Sequence, residues 1–173
     1  MKEVTINYKG LEIISYEKFI NTSDADRIFS SALNEIPWES STIKMYGKEV
    51  SIPRLQCWVG DPGCEYAYSG KSLQRYNFFE PLIEIRSLIE DQLGIYFNSV
   101  LANLYRDGND SMGFHADDEQ ELGNNPVIAS LSLGTERPLV FQKKDKIHFQ
   151  SRSVVFSRVK NITLQKNCTL FFE

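Results

Sequence analysis

Near the middle of this 173-residue chain, the run Asp110-Ser111-Met112-Gly113-Phe114-His115-Ala116-Asp117-Asp118-Glu119-Gln120 sets an imidazole two residues ahead of a carboxylate and follows with two more acids. On an extended strand end, side chains two apart share a side. A neutral imidazole and a carboxylate on one side are two of the three ligands that hold non-haem Fe(II) with coordination positions left open. Ordinary strand-end hydrogen bonding produces the same pair without any metal. The context favours the metal: a polar loop over residues 117–125 follows, then the buried-looking strand Val127-Ile128-Ala129-Ser130-Leu131-Ser132-Leu133-Gly134. A metal at the mouth of a β-barrel is built that way.

Other residues at strand spacing could join this chemistry. Asn103 and Tyr105 are two apart on the segment before the His-x-Asp pair. On the residues alone, Asn103 reads as a strand residue satisfying neighbouring backbone. Tyr66 and Tyr68 flank Ala67, so both rings share a face; they can bracket a flat aromatic ligand or pack in a core. Tyr46 stands at the tip of Met45-Tyr46-Gly47-Lys48, which also reads as a plain hairpin turn.

The elements that must position these groups are legible in outline. Residues 4–20 read as short strands. Thr22-Ser23 offers an N-cap ahead of Asp24-Ala25-Asp26, and the helix runs to Glu35 or Ile36 before Pro37 stops it. Residues 41–59 alternate as strands about the turn at 46–48. A second helix begins near Pro81, carries Leu82, Ile85, Leu88, Ile89 and Leu93 on one face, and ends at Gly94. Strands follow at Ser99 to Leu104, Val127 to Leu133, Leu139 to Gln142, Val154 to Phe156 and Leu170 to Phe172. Helices followed by a run of strands predict an α+β domain, a β-sandwich or jelly roll flanked by helices.

The bulk numbers bound the class. The length suits one domain with its own core, and 42% hydrophobic with 24% charged residues is ordinary for a globular protein. Three cysteines, Cys57, Cys64 and Cys168, match neither a zinc spacing nor a disulfide framework, so a reduced cytoplasmic protein is expected. No apolar stretch suggests a leader or a membrane span. The net charge of -4 argues against a generic nucleic-acid binder, yet from Arg137 onward eight Lys and Arg face only Asp145 and Glu173. That basic third can face phosphates, or be a solvated set of strand edges.

Taken together, seven ordered motifs resemble one family. They are Pro53-Arg54-x-Gln56, Gly60-Asp61-x-Gly63, Tyr66-Ala67-Tyr68-Ser69-Gly70, Phe97-Asn98, Leu101-x-Asn103-x-Tyr105-x-Asp107-Gly108, His115-x-Asp117-Asp118-Glu119 and Ile128-Ala129-Ser130-Leu131-Ser132-Leu133-Gly134-x-x-Arg137. Over roughly residues 35–173 the chain is similar to the AlkB family of Fe(II)- and 2-oxoglutarate-dependent nucleic-acid dioxygenases, in the branch of the nuclear DNA-repair homologues. The resemblance implies a double-stranded β-helix, a cupin-like jelly roll, flanked by N-terminal helices in a single domain spanning 1–173.

It also implies a site: His115 and Asp117 as ligands of Fe(II), and Asn103 and Tyr105 on the cosubstrate 2-oxoglutarate. Tyr68 resembles the ring that stacks on an extruded base, with His115 opposite, and Tyr66 and Glu119 resemble contacts to its polar edge. Tyr46 corresponds to the hairpin aromatic that fills the gap left in the stack. Arg54, Ser69 and Asp118 fall in the same substrate-facing motifs. The implied reaction is oxidative demethylation of N-alkylated bases in DNA, with RNA open, releasing formaldehyde and succinate. A monomer in the cytoplasm, or the nucleus of a eukaryote, is expected.

The pattern departs from the family at its end. A later histidine and an arginine should close the metal triad and pair the cosubstrate carboxylate. Here Leu164 to Glu173 resembles the strand before them, and the second histidine of the chain, His148, lies in Lys146-Ile147-His148-Phe149, read as a strand edge rather than a ligand. Three readings follow: a copy lacking its distal strands, a degenerate member that only binds nucleic acid, or a cupin-like partner-binding domain.

Overall fold

A computed structural model of the chain describes residues 2–8, 11–45, 47–64, 67–68, 71–115, 127–141, 152–157 and 167–172. The α+β expectation holds: the described residues include two helices and eleven strands. The first strands, β1 (Lys2–Tyr8) and β2 (Leu11–Glu17), pair antiparallel. Helix α1 (Thr22–Glu35) follows, then the β3 (Glu39–Met45) and β4 (Lys48–Gly60) hairpin. Short strands β5 (Ala67–Tyr68), β6 (Lys71–Ser72) and β7 (Arg75–Tyr76) lead to helix α2 (Leu82–Leu93). The sheet is completed by β8 (Ser99–Tyr105), β9 (Val127–Gly134), β10 (Arg152–Ser157) and β11 (Asn167–Phe172).

The main sheet runs β1-β2-β10-β9-β11-β8-β4-β3, with β7 beside β4. This order is far from sequential, so residues distant in the chain meet across the sheet. One face is apolar: Cys57 and Val59 of β4, Val100 and Ala102 of β8, Ala129, Leu131 and Leu133 of β9, and Leu170 and Phe172 of β11. Against it lie Ala25, Ile28 and Ala32 of α1 and Leu82, Ile85 and Ile89 of α2. Phe97 packs edge-on to Phe172, ring centroids 6.3 Å apart. A bidentate Arg27–Glu84 pair ties the two helices at their solvent edge.

Three local expectations need correction. The N-cap of α1 is Asn21, whose Oδ1 accepts from the Asp24 amide at 3.0 Å, because its extended backbone aims the short amide back over the first turn. Leu88 is 39% exposed, since it falls at the edge of the α2 stripe formed by Leu82, Ile85 and Ile89. Residues 139–141 form no strand: Leu139, Val140 and Phe141 are all exposed, and Pro138 has no N–H to give a ladder. Gly94 does end α2, in the left-handed region at φ 66° with its N–H on the Glu90 carbonyl.

Candidate active site

Side chains alternate across a strand, so the residues between the core positions share the opposite face. The register turns that alternation into a polar row. Gln56 of β4 faces Asn103 of β8, Asn103 faces Thr169 of β11, and Thr169 faces Ser132 of β9. Asn103 is fully buried, and Gln56 and Thr169 nearly so. Ser132 Oγ and Thr169 Oγ1 lie 3.4 Å apart. Ser130, on the same face of β9, is buried with an Oγ that finds no hydrogen-bond partner among the described residues. Tyr105 continues the face beyond Asn103 and is also buried. A row of buried hydroxyls and amides behind a sheet is costly unless something polar completes it.

Arg54 sits in the same interior at 6% exposure. Its Nε donates to Asn103 Oδ1 at 2.8 Å, and its Nη1 approaches the Ser111 carbonyl at 3.4 Å. Sequence motifs group it with the substrate-facing residues; the structure puts it behind Asn103, where burial keeps its guanidinium from an open surface.

The segment leading to His115 is held at several points. The Ser111 amide donates to the Pro53 carbonyl at 2.8 Å, which lays the segment against β4. The Asp110 carboxylate accepts from the Arg106 amide and from Nε and Nη2 of the same arginine at 2.8–2.9 Å. The Arg106 guanidinium holds the Asp110 carboxyl below the usual carboxylate range. Arg137 donates to the carbonyls of Asp107 and Asp110, with its guanidinium 4.4 Å from the Tyr105 ring centroid. His115 itself is exposed, and its Nδ1 lies 2.9 Å from the Gly113 carbonyl. A carbonyl can only accept, so Nδ1 carries a proton, and in a neutral ring this is the tautomer whose Nε2 is the acceptor nitrogen. His115 stands in an irregular segment, not on the strand end that the spacing suggested.

The structure thus brings Asn103, Tyr105 and Arg54 into one buried face and ties the approach to His115 beside it. Tyr46, Tyr66, Ser69, Asp117, Asp118, Glu119 and His148 lie outside the described residues, and Tyr68 is described only as part of the β5 backbone. Gln56, Ser130, Ser132, Thr169, Asp110 and Arg137 were given no role from sequence. The serines at alternate positions of Val127 to Gly134 were the available signal for two of them; Thr169 joins only through strand pairing.

The residues fit the implied 2-oxoglutarate: a buried polar row with an unsatisfied hydroxyl suits a ligand rich in carboxylate and keto oxygens. For Fe(II), the imidazole of His115 is a suitable donor by type, and the carboxylate two residues on lies outside the described residues. Among the described residues, no three His, Cys, Asp or Glu side chains gather as a metal cluster. A cleft between Phe19, Asn21, Glu84 and Leu88 lies on the helix side of the sheet and belongs to neither group.

Comparison with known proteins bears on this geometry. The model of the 2OG-Fe(II) oxygenase superfamily matches residues 12–173. Human alpha-ketoglutarate-dependent dioxygenase alkB homolog 3 is 32% identical over 173 residues, 99% of this chain and 59% of that protein. Human DNA oxidative demethylase ALKBH2 is 37% identical over 143 residues, 81% of this chain and 54% of that protein. Its Arabidopsis thaliana counterpart is 37% identical over 139 residues, 78% of this chain and 44% of its own length. The chain therefore spans about half the length of the curated relatives it matches.

Proposed function

This chain belongs to the 2OG-Fe(II) oxygenase superfamily and to its AlkB family, and from that membership we propose that it contributes to the oxidative demethylation of N-alkylated DNA bases. The family's jelly-roll core accounts for the mostly-β architecture with two helices. The observation that carries the reading is the buried polar row at Asn103, on the strand that leads into the His115 segment. In this reading the 173 residues act as one oxygenase domain. His115 and Asp117 hold Fe(II), and Asn103 and Tyr105 hold 2-oxoglutarate. When bound, the iron supplies activation of O2 and the coupled oxidation of 2-oxoglutarate to succinate.

The chain's own residues have separate tasks. The Gly113 carbonyl fixes the His115 tautomer, and Arg137 and Arg106 hold the segment that carries it. The Asn103 amide donates to the cosubstrate, and the polar row excludes bulk water from it. Tyr66, Tyr68, Ser69, Asp118 and Glu119 line the base-facing side, with Tyr68 stacking on the extruded base. The β3–β4 hairpin supports a probing role for Tyr46 at its tip: Lys48, Glu49, Val50 and Ser51 are all exposed, so the arm stands clear of the core. The hydroxylated methyl group leaves as formaldehyde and the base is restored.

Among the described residues no helix is long and apolar enough to cross a membrane. The free thiols of Cys57 and Cys64 support a reducing compartment, cytoplasm or nucleus, and we take the working unit as a monomer on DNA.

A second reading, nucleic-acid binding without oxidation, is favoured by one observation: from Arg137 onward eight Lys and Arg stand against only Asp145 and Glu173, a charge balance suited to phosphates. One assay separates them. The chain is given Fe(II), 2-oxoglutarate and a single-stranded oligonucleotide carrying N-methylated adenine or cytosine, and succinate, formaldehyde and repaired base are measured. The proposal expects the three in equal amounts. Oligonucleotide binding with no succinate supports the second reading.

A further inference from the structure

We propose that Arg54 is a positioning residue that sets the polarity of the Asn103 carboxamide and couples it to the segment leading to His115. The inference rests on the cosubstrate role proposed for Asn103. An asparagine amide can present either its oxygen or its NH2 in one direction, and the two ends are alike in size. A guanidinium removes the ambiguity, because it has five N–H donors and no acceptor. With Arg54 Nε 2.8 Å from Oδ1, the Asn103 oxygen faces the arginine and Nδ2 faces away from it. Nδ2 has a long contact of 3.4 Å to the Leu101 carbonyl, which leaves its second proton to donate to a ligand. Asn103 is thereby made a donor, the polarity that a carboxylate or keto oxygen requires.

The second arm of the arginine extends the effect. Nη1 lies 3.4 Å from the carbonyl of Ser111, whose amide is already fixed on Pro53, the residue beside Arg54. Ser111 precedes His115 by four residues. One buried side chain thus touches both the cosubstrate strand and the approach to the metal ligand. A lysine at this site would keep the charge but not the fork that reaches both.

The test is a double-mutant cycle on 2-oxoglutarate affinity, with Mn(II) in place of Fe(II), read by tryptophan fluorescence in the full chain. Arg54→Met and Asn103→Ala should each weaken 2-oxoglutarate about tenfold or more, the scale of one hydrogen bond to a charged group. The double variant should be no weaker than Asn103→Ala alone. Affinity for an unmodified single-stranded oligonucleotide should stay within about twofold in Arg54→Met, since a buried side chain makes few phosphate contacts. Additive losses, or a loss that falls on the oligonucleotide alone, overturn the proposal. Should Arg54→Met fail to fold, Arg54→Gln replaces it: its amide can turn either end to Asn103, and the same non-additive loss is expected.

If the unaltered chain holds no 2-oxoglutarate, the functional reading fails and the positioning role is decided separately. In the ligand-free protein, 15N relaxation should show the Asn103 side-chain amide rigid, and mobile in Arg54→Gln. An amide equally ordered in both overturns the role of Arg54.

Discussion

The guanidinium of Arg137 lies over the ring of Tyr105, 4.4 Å from its centroid, and from there reaches the carbonyls of Asp107 and Asp110. One arginine thus clamps the turn that follows β8 onto the last residue of that strand. The turn begins the path to His115, so the clamp bears on where the imidazole stands. Replacing Arg137 by Ala removes the ring contact and two charge-assisted hydrogen bonds, for a loss of about 2 kcal/mol in urea unfolding. Amide exchange over residues 106–111 should rise in the same variant. Arg137→Lys keeps the charge over the ring but loses the fork, and should fall between the two. Unchanged exchange in Arg137→Ala contradicts the clamp.

The Asp110 carboxylate gives the same turn a pH dependence. Its folded pKa lies below the ordinary value because Arg106 donates to it. A depressed carboxylate stabilises the fold above its unfolded pKa of about 4, and that contribution is lost as pH falls through the lower folded value. Protection of the Arg106 amide, which also donates to Asp110, should therefore be flat from neutral pH down to about pH 4 and then decline. In Asp110→Asn the decline at that amide should disappear, with weaker protection throughout. A loss of protection near neutral pH contradicts this assignment.

Cys57 should be chemically silent in the folded chain. Burial, with Glu39 nearby, pushes its thiol up to about 12, so almost none is thiolate at neutral pH. Labelling with an alkylating reagent, followed by peptide mass mapping, should modify Cys57 only in denaturant. Rapid labelling without denaturant contradicts its place in the core between the sheet and the helices.

Gly94 closes α2 in the left-handed conformation, where a Cβ is strained although no neighbouring atom obstructs it. Gly94→Ala should cost about 1 kcal/mol of stability, with affinity for 2-oxoglutarate unchanged. A thermal melt identical to that of the unaltered chain contradicts this.

Much of the frame was legible because it depends on local rules. Pro81 and Gly94 bound α2, the 3.6-residue stripe of Leu82, Ile85 and Ile89 aims it, and period-two patterning marks β8 and β9. Local rules also misled: an apolar run at 139–141 without alternation or pairing is not a strand, and Asn21 outcompetes Thr22-Ser23 as a cap by geometry alone. The polar row was not legible, because Gln56, Asn103, Thr169 and Ser132 meet only through the pairing of four strands in a non-sequential order. Motif singled out Asn103, Tyr105, Arg54 and Arg137 alike, whereas the partners of the two arginines, Asn103 for one and the Tyr105 ring for the other, follow only from the folded arrangement.

The central claim is that His115 and Asp117 hold Fe(II) together with 2-oxoglutarate lying against Asn103. Its most direct measurement is an anaerobic titration of the chain with Fe(II) and 2-oxoglutarate, following the charge-transfer absorption that arises when the keto acid chelates the metal. The account predicts the band in the unaltered chain, its loss in His115→Ala and Asp117→Ala, and weaker 2-oxoglutarate dependence in Asn103→Ala. No band in the unaltered chain, or one that survives His115→Ala undiminished, would contradict it.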